Sequence, residues 1–308
     1  MLQKKKTRSP EIALTRLESS PVLILDGAMG TELEFRGFKT QLPLWSAQAL
    51  LDAPEMVRQI HKDYIKAGAD IITTNTFRTN PYTITKAKLT IDPARLTKIA
   101  CNLAKQAVGN KTVAIAGSVA PIEDCFSPQL YPGVKLAEKD HYAHIKNLKA
   151  GGVDFILAET MLSMKEAIIV LEQAKKLKIP IMVSFALNKD GNILNGDNLI
   201  EALNQTSKYK PLAFLINCTT LDIIKKVIDS ILAVAQIPIG VYPNFGPPDS
   251  GLTRGSIRPI KGKFTEYLTP SKFADSLFRL SNKGVRVLGG CCGTRPAHIA
   301  ALAKIIKT

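Results

Sequence analysis

The sequence predicts an α/β protein that folds as a single (β/α)8 TIM barrel. Two observations support this fold class: eight short apolar runs alternate with eight helical stretches, and none of the apolar runs alternates cleanly with polar residues. Such runs are typical of strands covered on both faces, as in a parallel sheet. No linker rich in Pro, Gly or Ser separates the units, so we expect one barrel domain over residues 21–308, after a lead-in over residues 1–20. A doubly wound open sheet is the alternative.

The strands are predicted from the position of each apolar run, and the helices from apolar residues at helical spacing between them. The predicted strands are 22–25, 70–74, 113–116, 154–158, 181–186, 213–216, 237–242 and 285–288. The predicted helices are 54–68, 94–109, 138–150, 163–177, 197–207, 220–235, 270–283 and 295–307. Gly68 and Gly109 mark the ends of the first two helices, and Pro270 and Pro296 lie near helix starts, where a missing N–H costs nothing.

Composition and cysteine usage predict a soluble cytoplasmic protein. Of the 308 residues, 45% are hydrophobic and 22% are charged. The apolar stretches are shorter than the ~20 residues that a membrane span needs, and the basic N-terminus lacks the apolar segment of a secretory signal. Five cysteines, an odd number in a long chain, do not indicate a disulfide scaffold.

The formal net charge of +15 raises the question of a nucleic-acid partner. Only residues 4–6 form a pure Lys run, no basic tract is interleaved with aromatic residues, and the chain has one Trp. We therefore interpret the charge as a lysine-rich surface and expect neither a nucleic-acid nor a membrane partner. The charge still favours anionic groups on a substrate.

Residues that could bind a ligand or take part in catalysis follow nearly every predicted strand. Because the active sites of such barrels form at the carboxyl ends of the strands, these residues are expected to meet at one rim. They include Asp26 and Gly27 after strand 1, Thr74 after strand 2, Glu159 after strand 4, Cys218 after strand 6, Asn244 after strand 7, and Cys291 and Cys292 after strand 8.

The three cysteines at this rim, Cys218, Cys291 and Cys292, predict one catalytic zinc ion. Soft thiolates favour zinc, and three protein ligands leave a fourth position open, as in catalytic sites. Glycines at 289, 290 and 293 permit the sharp bend that two adjacent cysteine ligands require. The alternatives are core packing for Cys218 and a redox or strained disulfide element for the adjacent pair.

A zinc hydrolase on the same barrel is a second hypothesis, and it would use His or carboxylate ligands. The chain has four histidines, and His141 and His144 are spaced i, i+3 on one predicted helix. A metal pair there is possible, but a solvated or partly packed helix face is the favoured interpretation.

Three thiolates make zinc a weak Lewis acid that suits activation of another thiol. Coordination removes the thiol proton, and the sulfur can then attack an electrophilic carbon. Asp26 and Glu159 could bind an α-ammonium group, and the N–H groups of the Gly27–Gly30 turn could hold an α-carboxylate. Simpler interpretations are a turn residue for Asp26 and a helix-start residue for Glu159. Together these groups indicate a thiol amino acid.

At this point the chain resembles the homocysteine S-methyltransferase family. The matching stretches, in family order, are LDGAMGTELEFRG (25–37), LWSAQAL (44–50), AGADIITTNTF (67–77), AGSVAP (116–121), AET (158–160), INC (216–218), VYPN (241–244) and GGCCGT (289–294). The resemblance implies a (β/α)8 barrel, zinc on the three cysteines, and homocysteine held by Asp26, Gly27, Thr74 and Glu159. It also implies Asn244 or Tyr242 at the fourth zinc position when substrate is absent.

The family divides by methyl donor. The length and the LWSAQAL segment look most like the stand-alone enzymes that use S-methylmethionine or S-adenosylmethionine, although TNTF is nearer to the methionine synthase type. The implied partners are homocysteine and a small methyl donor, in a monomer or small homo-oligomer. A betaine-type enzyme and a module that serves a separate corrinoid protein remain alternatives.

Overall fold

The computed structural model describes residues 21–244 and 269–308, and its core is a ring of eight parallel strands. The strands are β1 (Leu23–Ile24), β2 (Ile71–Thr73), β3 (Ala114–Val119), β4 (Phe155–Met161), β5 (Ile181–Phe185), β6 (Phe214–Thr220), β7 (Ile239–Asn244) and β8 (Val287–Leu288). Their order is β1-β8-β7-β6-β5-β4-β3-β2, and a parallel bridge between Leu25 and Ile71 joins the two ends of the sheet. The (β/α)8 barrel is confirmed, and the open-sheet alternative is not.

Helices follow the strands around the ring, and all eight predicted helices are present. The α-helices are α1 (Met29–Phe35), α2 (Ala49–Asp52), α3 (Pro54–Lys66), α4 (Pro81–Lys86), α5 (Pro93–Val108), α6 (Val134–Gly151), α7 (Met164–Lys176), α8 (Leu199–Ser207), α9 (Leu221–Val234), α10 (Pro270–Ser281) and α11 (Pro296–Ile306). The short helices α1, α2 and α4 were not predicted. No described helix is long and apolar enough to cross a bilayer. The expected lead-in over residues 1–20 lies outside the described residues.

Local side chains explain where several helices begin. The Asp92 side chain accepts a hydrogen bond from the Ala94 N–H, and Ser163 and Asn198 do the same for Glu166 and Glu201. Each of these N-caps satisfies one of the N–H groups that a helix start leaves unpaired. At the other end, Gly152 ends α6 in the left-handed conformation, where a side chain would be strained.

Apolar side chains divide into two buried clusters because successive residues of a strand point to opposite faces. One cluster fills the barrel interior and includes Leu25, Phe155, Leu157 and Leu215. The other fills the layer between strands and helices and is much larger. This arrangement explains the unbroken apolar runs, since both faces of each strand are buried.

Two strands carry irregularities at their carboxyl ends. The register shifts between Ala158 and Met161 in β4, and between Asn217 and Thr220 in β6. Within these bulges Thr160 and Cys218 have positive φ, at 59° and 48°. Such bulges re-aim side chains and are common beside active sites. Both bulges lie at the rim where the sequence predicts the site.

The barrel interior gives a stability prediction. Phe155 is fully buried there, so Phe155→Ala should lower the free energy of unfolding by about 3–5 kcal/mol, because it removes apolar contacts and leaves a cavity. The control is Phe278→Ala on α10, where the ring is 37% exposed and the change should be about 0.5 kcal/mol or less. Denaturant unfolding measures both, and equal losses would contradict this account of the interior.

Candidate metal centre and substrate cleft

The three predicted cysteines meet at the carboxyl end of the barrel. Cys218 lies in the bulge of β6, while Cys291 and Cys292 follow β8. The Cys291 N–H donates to the Pro243 carbonyl at 2.9 Å, which ties the cysteine loop to β7. The three Sγ atoms lie within 4.8 Å of one another, and the Sγ atoms of Cys218 and Cys291 are 2.8 Å apart.

This donor set fits a zinc ion. A tetrahedral site with Zn–S bonds of ~2.3 Å places its sulfur atoms roughly 3.8 Å apart, a spacing that the cluster reaches with small side-chain adjustments. Within residues 21–244 and 269–308, no other group of three or more His, Cys, Asp or Glu side chains is arranged to hold a metal. Three thiolates would leave one position open for a further ligand.

Hydrogen bonds among the thiols shift the pKa values of Cys218 and Cys291 in opposite directions. The neighbouring Cys218 and Cys292 thiols hold the pKa of Cys291 well below its usual range. The hydrogen bond with Cys291 raises the pKa of Cys218 well above that range. A metal bound by all three sulfurs must displace the remaining thiol protons.

The cysteine loop bends where its glycines allow it. Gly293 has a φ of 83°, and a Cβ on Gly290 would lie 2.3 Å from the Thr294 Oγ1 atom. The Thr294 hydroxyl donates to the Cys291 carbonyl at 2.7 Å and accepts from the Ala28 N–H at 3.3 Å. The expected bend is therefore present, and Thr294 joins it to the turn that follows β1.

Tyr64 on α3 makes a second link between the same two loops. Its buried hydroxyl lies 2.9 Å from the Ala28 carbonyl and 3.1 Å from the Thr294 carbonyl, so two acceptors share one proton. A Cβ on Gly27 would lie 2.8 Å from the Tyr64 ring, so only glycine fits there without displacing that ring. The β1 turn and the cysteine loop therefore form one interlocked unit.

Asp26 extends from the end of β1 toward β2. Its carboxylate accepts hydrogen bonds from the Thr73 N–H at 2.8 Å and the Thr73 hydroxyl at 3.0 Å, and the side chain is 4% exposed. Burial outweighs these hydrogen bonds and raises its pKa to about 7. Asp26 is therefore not a simple turn-forming residue, because its carboxylate contacts a neighbouring strand rather than its own turn.

Glu159 lies at the end of β4 and accepts a hydrogen bond from the Ser118 hydroxyl of β3. Burial, followed by the negative charges of Cys291 and Asp26, raises the pKa of Glu159 to about 8. A carboxyl group with such a pKa is readily ionised by an incoming cation. Both carboxylates line the same cleft as the cysteine cluster.

The other predicted site residues divide between the cleft and the strands around it. Gly27 and Thr74 line the cleft, and the Thr74 hydroxyl accepts from the Ser118 N–H at 3.2 Å. Tyr242 also lines it. Asn244 ends β7, and its Oδ1 atom is buried with no hydrogen-bond partner among the described residues. The structure thus places Tyr242, and not Asn244, in the described part of the wall.

Asn217 is a site residue that the sequence analysis missed. Its side-chain oxygen accepts from the Thr160 N–H at 3.0 Å, and its amide donates to the Thr160 hydroxyl at 2.8 Å. It thereby fastens the two bulges, which carry Glu159 and Cys218, side by side. The available signal was its position, since it directly precedes Cys218 at the end of an apolar strand.

The two histidines on α6 form no metal pair with a third ligand. His141 contacts the Glu166 carboxylate at 3.0 Å, and His144 contacts the Ser118 carbonyl at 3.2 Å. Both are buried, and burial lowers the pKa of His144 to about 4. The helix face is therefore packed rather than solvated, and His144 supports the strand that bears the Glu159 partner.

The outer wall of the cleft is mainly aromatic. Trp45 and Phe77 form an edge-to-face pair with ring centroids 5.6 Å apart, and Phe126 lines the same region. Arg78 and Asp124 are the charged residues of this part. The cleft has an empty volume of about 1050 Å³ including its open mouth, which is at the upper end of the usual range for small-molecule sites.

Comparisons with known proteins agree on one family. The family model described as "Homocysteine S-methyltransferase" matches residues 23–306. Homocysteine S-methyltransferase YbgG from Bacillus subtilis (strain 168) is 28% identical over 95% of this chain and 98% of its own. Homocysteine S-methyltransferase 2 from Zea mays is 30% identical over 92% and 90%. The metallated crystal structure of the homocysteine methyltransferase MmuM from Escherichia coli superposes with a TM-score of 0.79, at 27% identity, over 94% of this chain and 98% of that one.

The cysteine cluster gives a metal-binding prediction. Cys291→Ala removes one of three ligands and should lower zinc content from about one ion per chain to near zero, because two thiols hold the ion far more weakly. Cys101→Ala is the matched control, since Cys101 is buried on α5 away from the cluster. Elemental analysis and a zinc-displacement assay measure the content. A Cys291→Ala protein that keeps a full zinc complement would contradict the assignment.

Proposed function

The chain belongs to the homocysteine S-methyltransferase family, and from this premise we propose that it transfers a methyl group from a sulfonium donor to homocysteine at a zinc site formed by Cys218, Cys291 and Cys292. The product is methionine. The observation that supports this proposal most strongly is the joint placement of three thiols and two carboxylates in one cleft.

The acceptor fits the inner part of the cleft. Asp26 and Glu159 present negative charge to an α-ammonium group, and the turn that begins at Gly27 presents backbone N–H groups to the α-carboxylate. The side chain of homocysteine then extends toward the cysteine cluster. Asp26 and Glu159 are themselves held by Thr73 and Ser118, so the amino acid is bound by pre-positioned groups.

Zinc, when bound to the three cysteines, would lower the pKa of the homocysteine thiol and supply its thiolate at neutral pH. The thiolate sulfur attacks the methyl carbon of the donor in line with the bond that breaks. The new S–CH3 bond gives methionine, and the donor sulfur keeps the electron pair of the broken bond. No proton moves in this step, so the chain needs no general base.

The outer cleft suits a sulfonium donor. Trp45, Phe77 and Phe126 present ring surface to a positively charged sulfur, which electron-rich faces attract. Betaine also carries an onium group, whereas a corrinoid protein would have to bring its cofactor to the mouth of the barrel. The zinc hydrolase hypothesis finds no support, because the metal group of the described chain contains only cysteines.

A pH dependence follows from the two carboxylates. Their pKa values are raised to about 7 for Asp26 and about 8 for Glu159, and only the ionised forms attract an ammonium group. Acidification through this range therefore protonates both groups and weakens amino-acid binding. We expect the Kd of methionine to rise at least tenfold between about pH 8.5 and about pH 6. The reason is that the ionised fraction of a carboxyl group falls about tenfold for each pH unit below its pKa, which corresponds to about 1.4 kcal/mol.

Methionine is the better probe here because it has no thiol whose own ionisation would mix with the result. Calorimetry on the zinc-loaded protein measures the Kd at each pH. Asp26→Asn should bind methionine more weakly and show a shallower pH profile, whereas Asp229→Asn, in a surface ion pair with Lys283, should match the parent protein. A Kd that is constant over this range would exclude the role given to the carboxylates.

One donor panel tests the proposed reaction. Zinc-loaded protein and homocysteine are offered S-methylmethionine, S-adenosylmethionine, betaine and methylcobalamin in separate reactions, and methionine is quantified. We expect product with a sulfonium donor and little with the other two. A sulfonium loses a neutral thioether more readily than betaine loses a tertiary amine, and methylcobalamin would have to reach the acceptor from the mouth of the barrel. Methionine formed only from betaine or methylcobalamin would refute the sulfonium assignment and leave the acceptor assignment intact.

A further inference from the structure

Arg78 is a buried cation without a carboxylate partner in the described structure. It follows β2 on the wall of the cleft and is only 5% exposed. One of its amino groups, Nη1, donates to the Glu123 carbonyl at 2.8 Å, and the guanidinium lies 5.3 Å from the centre of the Phe77 ring. Its Nε atom is buried and has no hydrogen-bond partner among residues 21–244 and 269–308.

An unpaired buried charge is costly, so it indicates a partner that arrives from solution. The contrast with other arginines of this chain is direct. Arg36 and Arg295 are both more exposed than Arg78, yet each forms an ion pair with the Glu32 carboxylate at 2.9 Å. For Arg78 no ion pair with a carboxylate is found in the part of the chain that the structure describes.

The surroundings of Arg78 identify the sign and place of that partner. Among the described residues that line the cleft, Arg78 is the single Lys or Arg, and the thiols and carboxylates nearby are acidic. Arg78 is therefore the cationic side chain of the described lining that can attract an anionic group entering this cleft. A guanidinium is also the side chain best suited to a carboxylate, which it binds through two parallel hydrogen bonds.

The acceptor does not require Arg78, because its carboxylate is assigned to the turn that begins at Gly27. Arg78 instead lies in the aromatic part of the wall, next to Phe77 and with Phe126 and Asp124 in the same lining. These groups match a sulfonium amino acid, whose positive sulfur suits the rings and whose ammonium group suits Asp124. The remaining group of such a donor is an α-carboxylate.

We infer that Arg78 binds the α-carboxylate of the methyl donor, so that the enzyme selects sulfonium amino acids over sulfonium compounds that lack a carboxylate. The assignment rests on the proposed function. It makes Arg78 a specificity-determining residue for the donor, with its charge held in place by the Glu123 carbonyl.

The test compares two donors that differ by one group. S-methylmethionine carries the carboxylate, and (3-aminopropyl)dimethylsulfonium is the same molecule without it. Arg78→Gln should lower kcat/KM for S-methylmethionine roughly 10- to 100-fold, mainly through KM, as expected when a charge-assisted pair is lost. For the carboxylate-free donor, kcat/KM should change less than about twofold. The preference for S-methylmethionine should therefore largely disappear.

Three further measurements separate donor recognition from general damage. The Kd of methionine and the zinc content of Arg78→Gln should equal those of the parent, because neither the acceptor nor the metal contacts Arg78. Arg78→Lys keeps the positive charge but cannot form the two parallel hydrogen bonds of a guanidinium. Its loss of kcat/KM with S-methylmethionine should therefore be smaller than that of Arg78→Gln. Arg58→Gln, on the exposed face of α3, is the matched control and should behave as the parent.

The outcomes are distinct for the two proposals. Equal losses with both donors, a weaker Kd for methionine, or no loss with S-methylmethionine would overturn the assignment of Arg78 while the proposed reaction stands. Parent protein that forms no methionine from any sulfonium compound would remove the proposed function, and the assignment with it. Direct calorimetric binding of S-methylmethionine to parent and Arg78→Gln, without homocysteine, gives a readout independent of turnover.

Discussion

The confinement of five acidic side chains to one cleft is the constraint on which the rest of the site depends. Two are the carboxylates Asp26 and Glu159, and three are the clustered thiols. Desolvation raises the pKa of both carboxyl groups well above their ordinary range, and repulsion by the negative charges of Cys291 and Asp26 adds to the rise at Glu159. Cations relieve this repulsion. A metal ion, an ammonium group and a sulfonium group are the three cations that the proposed reaction brings together, and each has acidic or electron-rich groups to meet it.

The barrel holds these acidic groups close together because it fixes them to rigid elements. Each acidic group lies at the carboxyl end of a strand or in the loop that follows it. Hydrogen bonds from neighbouring strands hold Asp26, Glu159 and the backbone of Cys291. The closest mechanical link joins the first and last strands of the chain. Tyr64 and Thr294 connect the turn after β1 to the cysteine loop after β8. The proposed carboxylate-binding turn and two proposed zinc ligands therefore keep a fixed relative position, which is what in-line transfer to a bound sulfur requires.

Acceptor and donor are assigned to different kinds of structure. The groups proposed to hold homocysteine and zinc lie on strand ends and on loops tied to them. The groups proposed to meet the donor lie on the longer connections after β1, β2 and β3, and they are Trp45, Phe77, Arg78, Asp124 and Phe126. Loops vary more readily than strand ends without loss of the core. This division gives a physical reason why a chain could keep one acceptor and change its donor through few substitutions.

Residue patterns along the chain predict both the barrel and the rim. Unbroken apolar runs located all eight strands, and the residues directly after them included Asp26, Glu159 and the three cysteines. Only the tertiary structure decided which neighbour each residue meets. Thr73 holds Asp26, Asn217 fastens two bulges, and Arg78 lines the cleft without a carboxylate partner among the described residues. The physical reason is that side chains alternate between the two faces of a strand with a period of two residues, whereas bulges and loops have no such repeat. The direction of their side chains depends on packing against segments distant in the chain.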